Sequence, residues 1–166
     1  MRDGDGHETS VTSKDHPGVI APPPFIFLGF LLAALAADRL LLRVPTGLPS
    51  EFRIVAGVLL AGVAGALLVT ALRGFRRSGT NPEPWRPSTA IVTTGIYRFT
   101  RNPMYLGMTL AYLALALALD SGVALVLLAP LLATVQVGVI QREERYLEAK
   151  FGESYRAYLS QVRRWL

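Results

Sequence analysis

The chain has 166 residues, enough for one domain; 51% are hydrophobic, only 17% are charged, and mean hydropathy is +0.37. Its charges are gathered into segments rather than spread over a surface, which argues for an integral membrane protein and against a soluble globule. The net charge of +5 then reads as positive-inside signal and headgroup attraction. Nucleic-acid binding is excluded because no basic stripe is interleaved with exposed aromatics on a soluble fold.

Cysteine is absent, which removes disulfides, thiol nucleophiles and thiolate metal sites. Both histidines, His7 and His16, fall in the polar N-terminal stretch. They read as solvated tail residues, so neither a metal centre nor a histidine base is expected in the apolar region.

Residues 1–21 are polar and lack apolar periodicity; a disordered tail is expected there, without the basic start of a signal peptide. Pro22-Pro23-Pro24 ends it, and a single membrane domain is expected over 22–166. Four apolar segments follow, at about 24–43, 53–73, 103–119 and 121–140, each near the ~20 residues that a helix needs to cross hydrocarbon. The expected architecture is therefore all-α: four transmembrane helices and an amphipathic interfacial helix over 141–164.

In the first span, Arg39 and Arg43 share a helix face near its end. Snorkelling with Asp38 as local partner explains them. In the second, Gly57, Ala61 and Gly65 recur at spacing four, which lets backbones approach closely. Packing within the bundle is the first reading, and a homodimer contact through the same face is the second. Arginines cluster between spans two and three and again after span four, whereas the turn at Asp120 has none. The basic side should be cytoplasmic, with both termini there. Beyond span four, Leu147, Phe151, Tyr155, Tyr158, Val162 and Trp165 recur at helical steps, and Gly152 is placed to kink or interrupt that helix.

Two charged cassettes bracket the hairpin of spans three and four. The first is Gly95-Ile96-Tyr97-Arg98-Phe99-Thr100-Arg101-Asn102-Pro103-Met104-Tyr105; the second is Gln141-Arg142-Glu143-Glu144-Arg145-Tyr146-Leu147. Asn102-Pro103 alone marks a helix start, with asparagine as N-cap and proline in the first turn. Glu143-Glu144 alone suits a solvated helix turn paired with Arg142 or Arg145. A hairpin returns the chain to the side it left, however. A helix start, arginines, tyrosines and a carboxylate should then meet at one interfacial spot, suited to a zwitterionic ligand with an aromatic base. Nucleotide loops, zinc-hydrolase motifs and serine-hydrolase elbows are all missing.

The stretch from about Ser88 to Leu166 resembles the isoprenylcysteine carboxyl methyltransferase and phospholipid methyltransferase superfamily of integral membrane enzymes, in its bacterial-type members. The resemblance rests on Val92-Thr93-Thr94-Gly95-Ile96-Tyr97, on Arg101-Asn102-Pro103-Met104-Tyr105-Leu106-Gly107, and, after a hairpin of matching length, on Glu143-Glu144, Leu147, Phe151-Gly152, Tyr155 and Tyr158. It implies S-adenosylmethionine as methyl donor. It carries cofactor contacts onto Thr89, Ala90, Ile91, Val92, Tyr97, Asn102, Pro103, Met104, Tyr105 and Glu143, with Glu144 commonly acidic beside them. It also implies a membrane lipid or lipid-modified acceptor and a bacterial inner membrane. Prenylcysteine enzymes usually have histidine at the position of Asn102 and an arginine near Val139 or Ile140, so the acceptor stays open. Candidate bases are Glu144, Asp38, Tyr97 and Tyr105, none assigned. A sterol-reductase-like NADPH enzyme and a non-catalytic membrane protein with the same fold are the competing readings.

Overall fold

The computed structural model describes residues 15–166 and, among them, contains helices and no strand. Residues 1–14 of the expected tail, with His7, lie outside the described residues. α1 (Pro23–Ala37) starts on proline, whose fixed φ suits a first turn, and ends in a π turn, Asp38–Leu42. α2 spans Ser50–Arg77, and a 3₁₀ turn at Gly95–Arg98 precedes α3, Pro103–Ala118. α4 (Gly122–Val135), a π turn at Gln136–Ile140 and α5 (Gln141–Phe151) follow without a break; α6 is Glu153–Gln161.

Three of these helical runs are long and apolar enough to cross a membrane: Pro23–Leu42, Ser50–Arg77 and Gly122–Phe151. The third expected span is present as α3 but has 16 residues, about 24 Å of helix against a hydrocarbon core of about 30 Å. The fourth differs too. The helix type changes at Gln141, where α5 begins, but α4, the π turn and α5 are continuous and form one 30-residue rod. The interruption lies at Gly152, whose φ of +54° and ψ of −124° suit a residue without Cβ. The polar charge of α5 changes the solvent it needs, not its helical backbone.

The core is built by Phe27, Leu31 and Ala34 of α1, Tyr105, Tyr112 and Ala116 of α3, and Leu131, Val135, Val139 and Ile140 of the α4–α5 rod. α2 joins α3 through a different seam. Gly57, Ala64 and Ala71 are buried at seven-residue intervals, and a Cβ on Gly107 would stand 3.0 Å from Leu68 Cγ and 3.2 Å from the Ala64 carbonyl. The packing expected of Gly57, Ala61 and Gly65 is thus carried by Gly57 with Ala64 and Ala71, while Ala61 and Gly65 are exposed. A spacing of seven keeps small residues on one nearly straight stripe, whereas repeated steps of four drift around the helix.

Asp38 also differs from expectation. It is buried, and its Oδ1 accepts the Val44 N–H at 2.9 Å. Among the described residues it forms no ion pair with Arg39 or Arg43. The π turn and the left-handed Arg43 (φ +46°) curl the chain back so that backbone satisfies the carboxylate.

The far end of the hairpin is closed. Asp120 Oδ1 accepts from Thr46 N–H (3.0 Å) and Thr46 Oγ1 (2.6 Å), with Arg53 at 3.4 Å. Gly122 N–H donates to Val44 O at 2.8 Å, and Ser121 Oγ caps α4 through Ala124 N–H. Residues 15–21, expected within the tail, run along the π turn and α5 at the other end, where Ile20 N–H donates to Gly138 O at 3.2 Å.

Candidate functional site

The site forms where α3 begins and the α4–α5 rod leaves the core. Gly95 (φ +65°) opens the 3₁₀ turn that swings Tyr97 inward, where its ring meets Phe75 edge-on at 5.6 Å. The Tyr158 hydroxyl donates to the Tyr97 carbonyl at 2.7 Å and fixes that turn from α6. Asn102 takes the N-cap position of α3, yet its side chain does not cap the helix. Its Nδ2 donates instead to the Arg164 carbonyl at 2.9 Å. The Arg101 N–H donates to Arg163 O at 3.0 Å. Residues 163–164 therefore draw the asparagine aside, and the first-turn amides of α3 keep no side-chain acceptor among the described residues.

Successive helical residues point about 100° apart, and this separates the two glutamates. Glu143 accepts the Tyr105 hydroxyl at 2.7 Å and has no cationic partner among the described residues. Glu144 is gripped by Arg164, with contacts of 3.0, 3.1 and 2.6 Å, and by Arg101 at 3.2 Å. The arginines expected to pair with this couple go elsewhere: Arg142 donates to Gly18 O and Arg145 to Gln141 O. They sit on other faces of the rod, and both find carbonyls there.

Around Glu143 lies a pocket with a cavity volume of about 110 Å³. All but one of the residues singled out in the sequence line it: Ala90, Ile91 and Val92 from the extended segment, Tyr97 from the turn, Asn102, Pro103, Met104 and Tyr105 from α3, and Glu143 and Glu144 from α5. Thr89 stands outside. Its N–H donates to Thr80 Oγ1 and its hydroxyl to Gly79 O, both at 3.0 Å, so it pins the base of the 80–89 loop.

Sequence reasoning missed Phe75, the Asn81–Pro84 loop, Tyr146 and Pro17, which complete the walls. The run Asn81-Pro82-Glu83-Pro84 was the available signal, since alternating prolines stiffen a loop. Burial pushes the Tyr97 and Tyr155 hydroxyls above the ordinary tyrosine range and raises Tyr158 to about 12. These phenols stay neutral at physiological pH and serve as hydrogen-bonding groups.

These features define an integral membrane protein with a polar, aromatic-walled pocket at one end of an apolar helical bundle. The chain belongs to the phospholipid methyltransferase family of membrane methyltransferases: the model described as "Phospholipid methyltransferase" matches residues 52–154. The match runs from α2 to the start of α6 and takes in the pocket from Phe75 to Glu144. An uncharacterized protein of Haemophilus influenzae is 43% identical over 63 residues, which is 38% of this chain and 100% of that protein. No solved structure matches the chain.

Proposed function

We propose that the chain transfers a methyl group from S-adenosylmethionine, held in the Glu143 pocket, to a lipid-like or prenylcysteine-like acceptor. The observation that carries this is the Glu143 carboxylate, lodged inside a family-matched pocket with the Tyr105 hydroxyl as its one partner among the described residues. The donor set fits the methyl donor. Glu143 offers an acceptor for a ribose hydroxyl or an ammonium, the first turn of α3 offers amides for a carboxylate, and Val92, Tyr97 and Met104 offer apolar surface.

S-adenosylmethionine supplies a methyl group on a positively charged sulfur with a neutral thioether as leaving group. The protein's part is alignment and exclusion of water. Glu144 is not free to act as a base, because its carboxylate oxygens are taken up by the Arg164 and Arg101 guanidiniums. Asp38 is committed to Val44, and Tyr97 stays protonated. Tyr105 with Glu143 is the remaining proton-handling pair, and an amine acceptor would attack from its own neutral fraction. Val139 and Ile140 are fully buried, so neither position can offer charge to an acceptor carboxylate.

Four crossings, both termini on the cytoplasmic side of a bacterial inner membrane and an interfacial C-terminal segment complete the proposal. The arginine clusters at the pocket end support it. Calorimetry in detergent tests the site: S-adenosylmethionine should bind the parent and bind Glu143→Ala and Tyr105→Ala far more weakly. Equal affinity would show that the pocket is misassigned. Methyl-labelled donor with a total membrane extract would then reveal the acceptor.

A further inference from the structure

Two segments distant in sequence cover the pocket, and one side chain holds both. The loop between Thr80 and Thr89 is closed at its base by the threonine contacts described above, so residues 81–88 project as a flap. Residues 15–20 form a strap from the opposite side, and Pro17 and Asn81–Pro84 both contribute to the pocket wall. Tyr146 stands between them. Its hydroxyl accepts the Ser88 N–H at 3.1 Å and donates to Asp15 Oδ1 at 2.8 Å. Lys150 adds a bond to the same hydroxyl at 3.0 Å and to both Asp15 carboxylate oxygens at 2.7 and 2.8 Å.

The strap is anchored further along by Arg142 on Gly18 O at 2.8 Å and by Ile20 over Gly138. A Cβ on Gly138 would meet Ile20 Cδ1 and Cγ1, so the isoleucine side chain would have to shift to admit it. A phenol hydroxyl has one proton and two acceptor sites. All are used in joining strap, flap and rod.

We infer that residues 15–20 and 81–88 are a two-sided cover over the pocket, clasped by the Tyr146 hydroxyl, and that opening this clasp admits and releases the ligand. The ligand's identity rests on the methyl-donor reading above; the cover does not. Tyr146 is a positioning residue in this scheme, since its hydroxyl acts through the two segments. The Asp15–Lys150 pair is half exposed, with side-chain exposures of 56% and 28%. It therefore adds a contact that salt weakens.

The test uses the full chain in detergent micelles. Backbone hydrogen exchange, without ligand, should rise roughly tenfold across both 15–21 and 81–88 in Tyr146→Phe, the effect of losing hydrogen bonds worth about one logarithmic unit. Exchange in α3 should be unchanged. Gly138→Ala, which displaces the Ile20 side chain without altering any pocket-lining residue, should loosen 15–21 alone. Stopped-flow binding of S-adenosylmethionine should show association and dissociation both faster in Tyr146→Phe, whereas plain damage to the pocket speeds dissociation only. Unchanged exchange in both segments, or faster dissociation with unchanged association, overturns the cover. Faster exchange in Tyr146→Phe, together with a parent that binds no S-adenosylmethionine, leaves the cover standing and refutes the methyl-donor reading instead.

Discussion

The two ends of the helix bundle handle their carboxylates in opposite ways. At the hairpin turn, Asp120 spends itself on Thr46 and Arg53, the adjacent N–H of Gly122 is taken by Val44, and Ser121 caps the helix it precedes. At the pocket end, Glu143 has one hydroxyl partner, α3 begins without its cap, and the neighbouring Glu144 takes up the arginines. One end is satisfied internally and holds the helices together. The other withholds satisfaction at chosen atoms, and those atoms face a space that a ligand can fill.

The largest break in that contrast should come from Glu143→Gln. It keeps shape and replaces an acceptor oxygen by an amide donor, so affinity for S-adenosylmethionine should fall by about 10- to 100-fold, the cost of leaving a buried ligand donor unpaired. Melting temperature in detergent should hardly move. Glu144→Ala should behave in reverse, because it strands Arg101, whose side chain is 12% exposed, beside Arg164 at 37%. Buried pairs cost about 3–5 kcal/mol when one partner is removed, and the exposure of Arg164 lowers the expectation to about 2–3 kcal/mol. A thermal shift series would register this as lost stability.

At the opposite end, Gly122→Ala should cost about 1–3 kcal/mol through overpacking, since its Cβ would meet Val44 O at 2.8 Å, a backbone atom with little room to yield. Affinity for the methyl donor should stay at the parent value. The smallest effect belongs to Asp120→Asn. The Thr46 hydroxyl, the Thr46 N–H and Arg53 hold the Asp120 carboxyl below its usual range. Its stabilising contribution is therefore complete above the unfolded pKa of about 3.9 and is lost as pH falls through the lower folded value. Parent and variant should differ in urea unfolding at neutral pH and converge in acid. A gap that persisted in acid would mean that Asp120 acts by shape alone.

Much of the site was legible because its signals are local. Asn102-Pro103 marks a helix start in any context, and the hairpin length fixes which cassettes meet. What escaped depends on long-range partners. Which of Glu143 and Glu144 is tied to arginines is decided by Arg164, twenty residues away from Glu144, and Asn102 abandons its capping role for the same segment. The small-residue row was read at spacing four because Gly57, Ala61 and Gly65 satisfy that pattern. The helix they face selects Ala64 and Ala71 instead, through Gly107. Helix existence was clear throughout. At residue 141 charge and helix type change without a break in the chain's helical course, and the interruption comes at Gly152, as its backbone freedom allows.

The dependence on residues 163–165 has a consequence for biogenesis. Arg163 and Arg164 carbonyls seat Arg101 and Asn102, the Arg164 guanidinium fixes Glu144, and Trp165 Nε1 donates to Gln136 at 3.0 Å. All these residues leave the ribosome after the spans have been made. The bundle can insert while Arg101, Asn102 and Glu144 still lack the partners that seat them, so a chain made only through α5 occupies the membrane without a finished site.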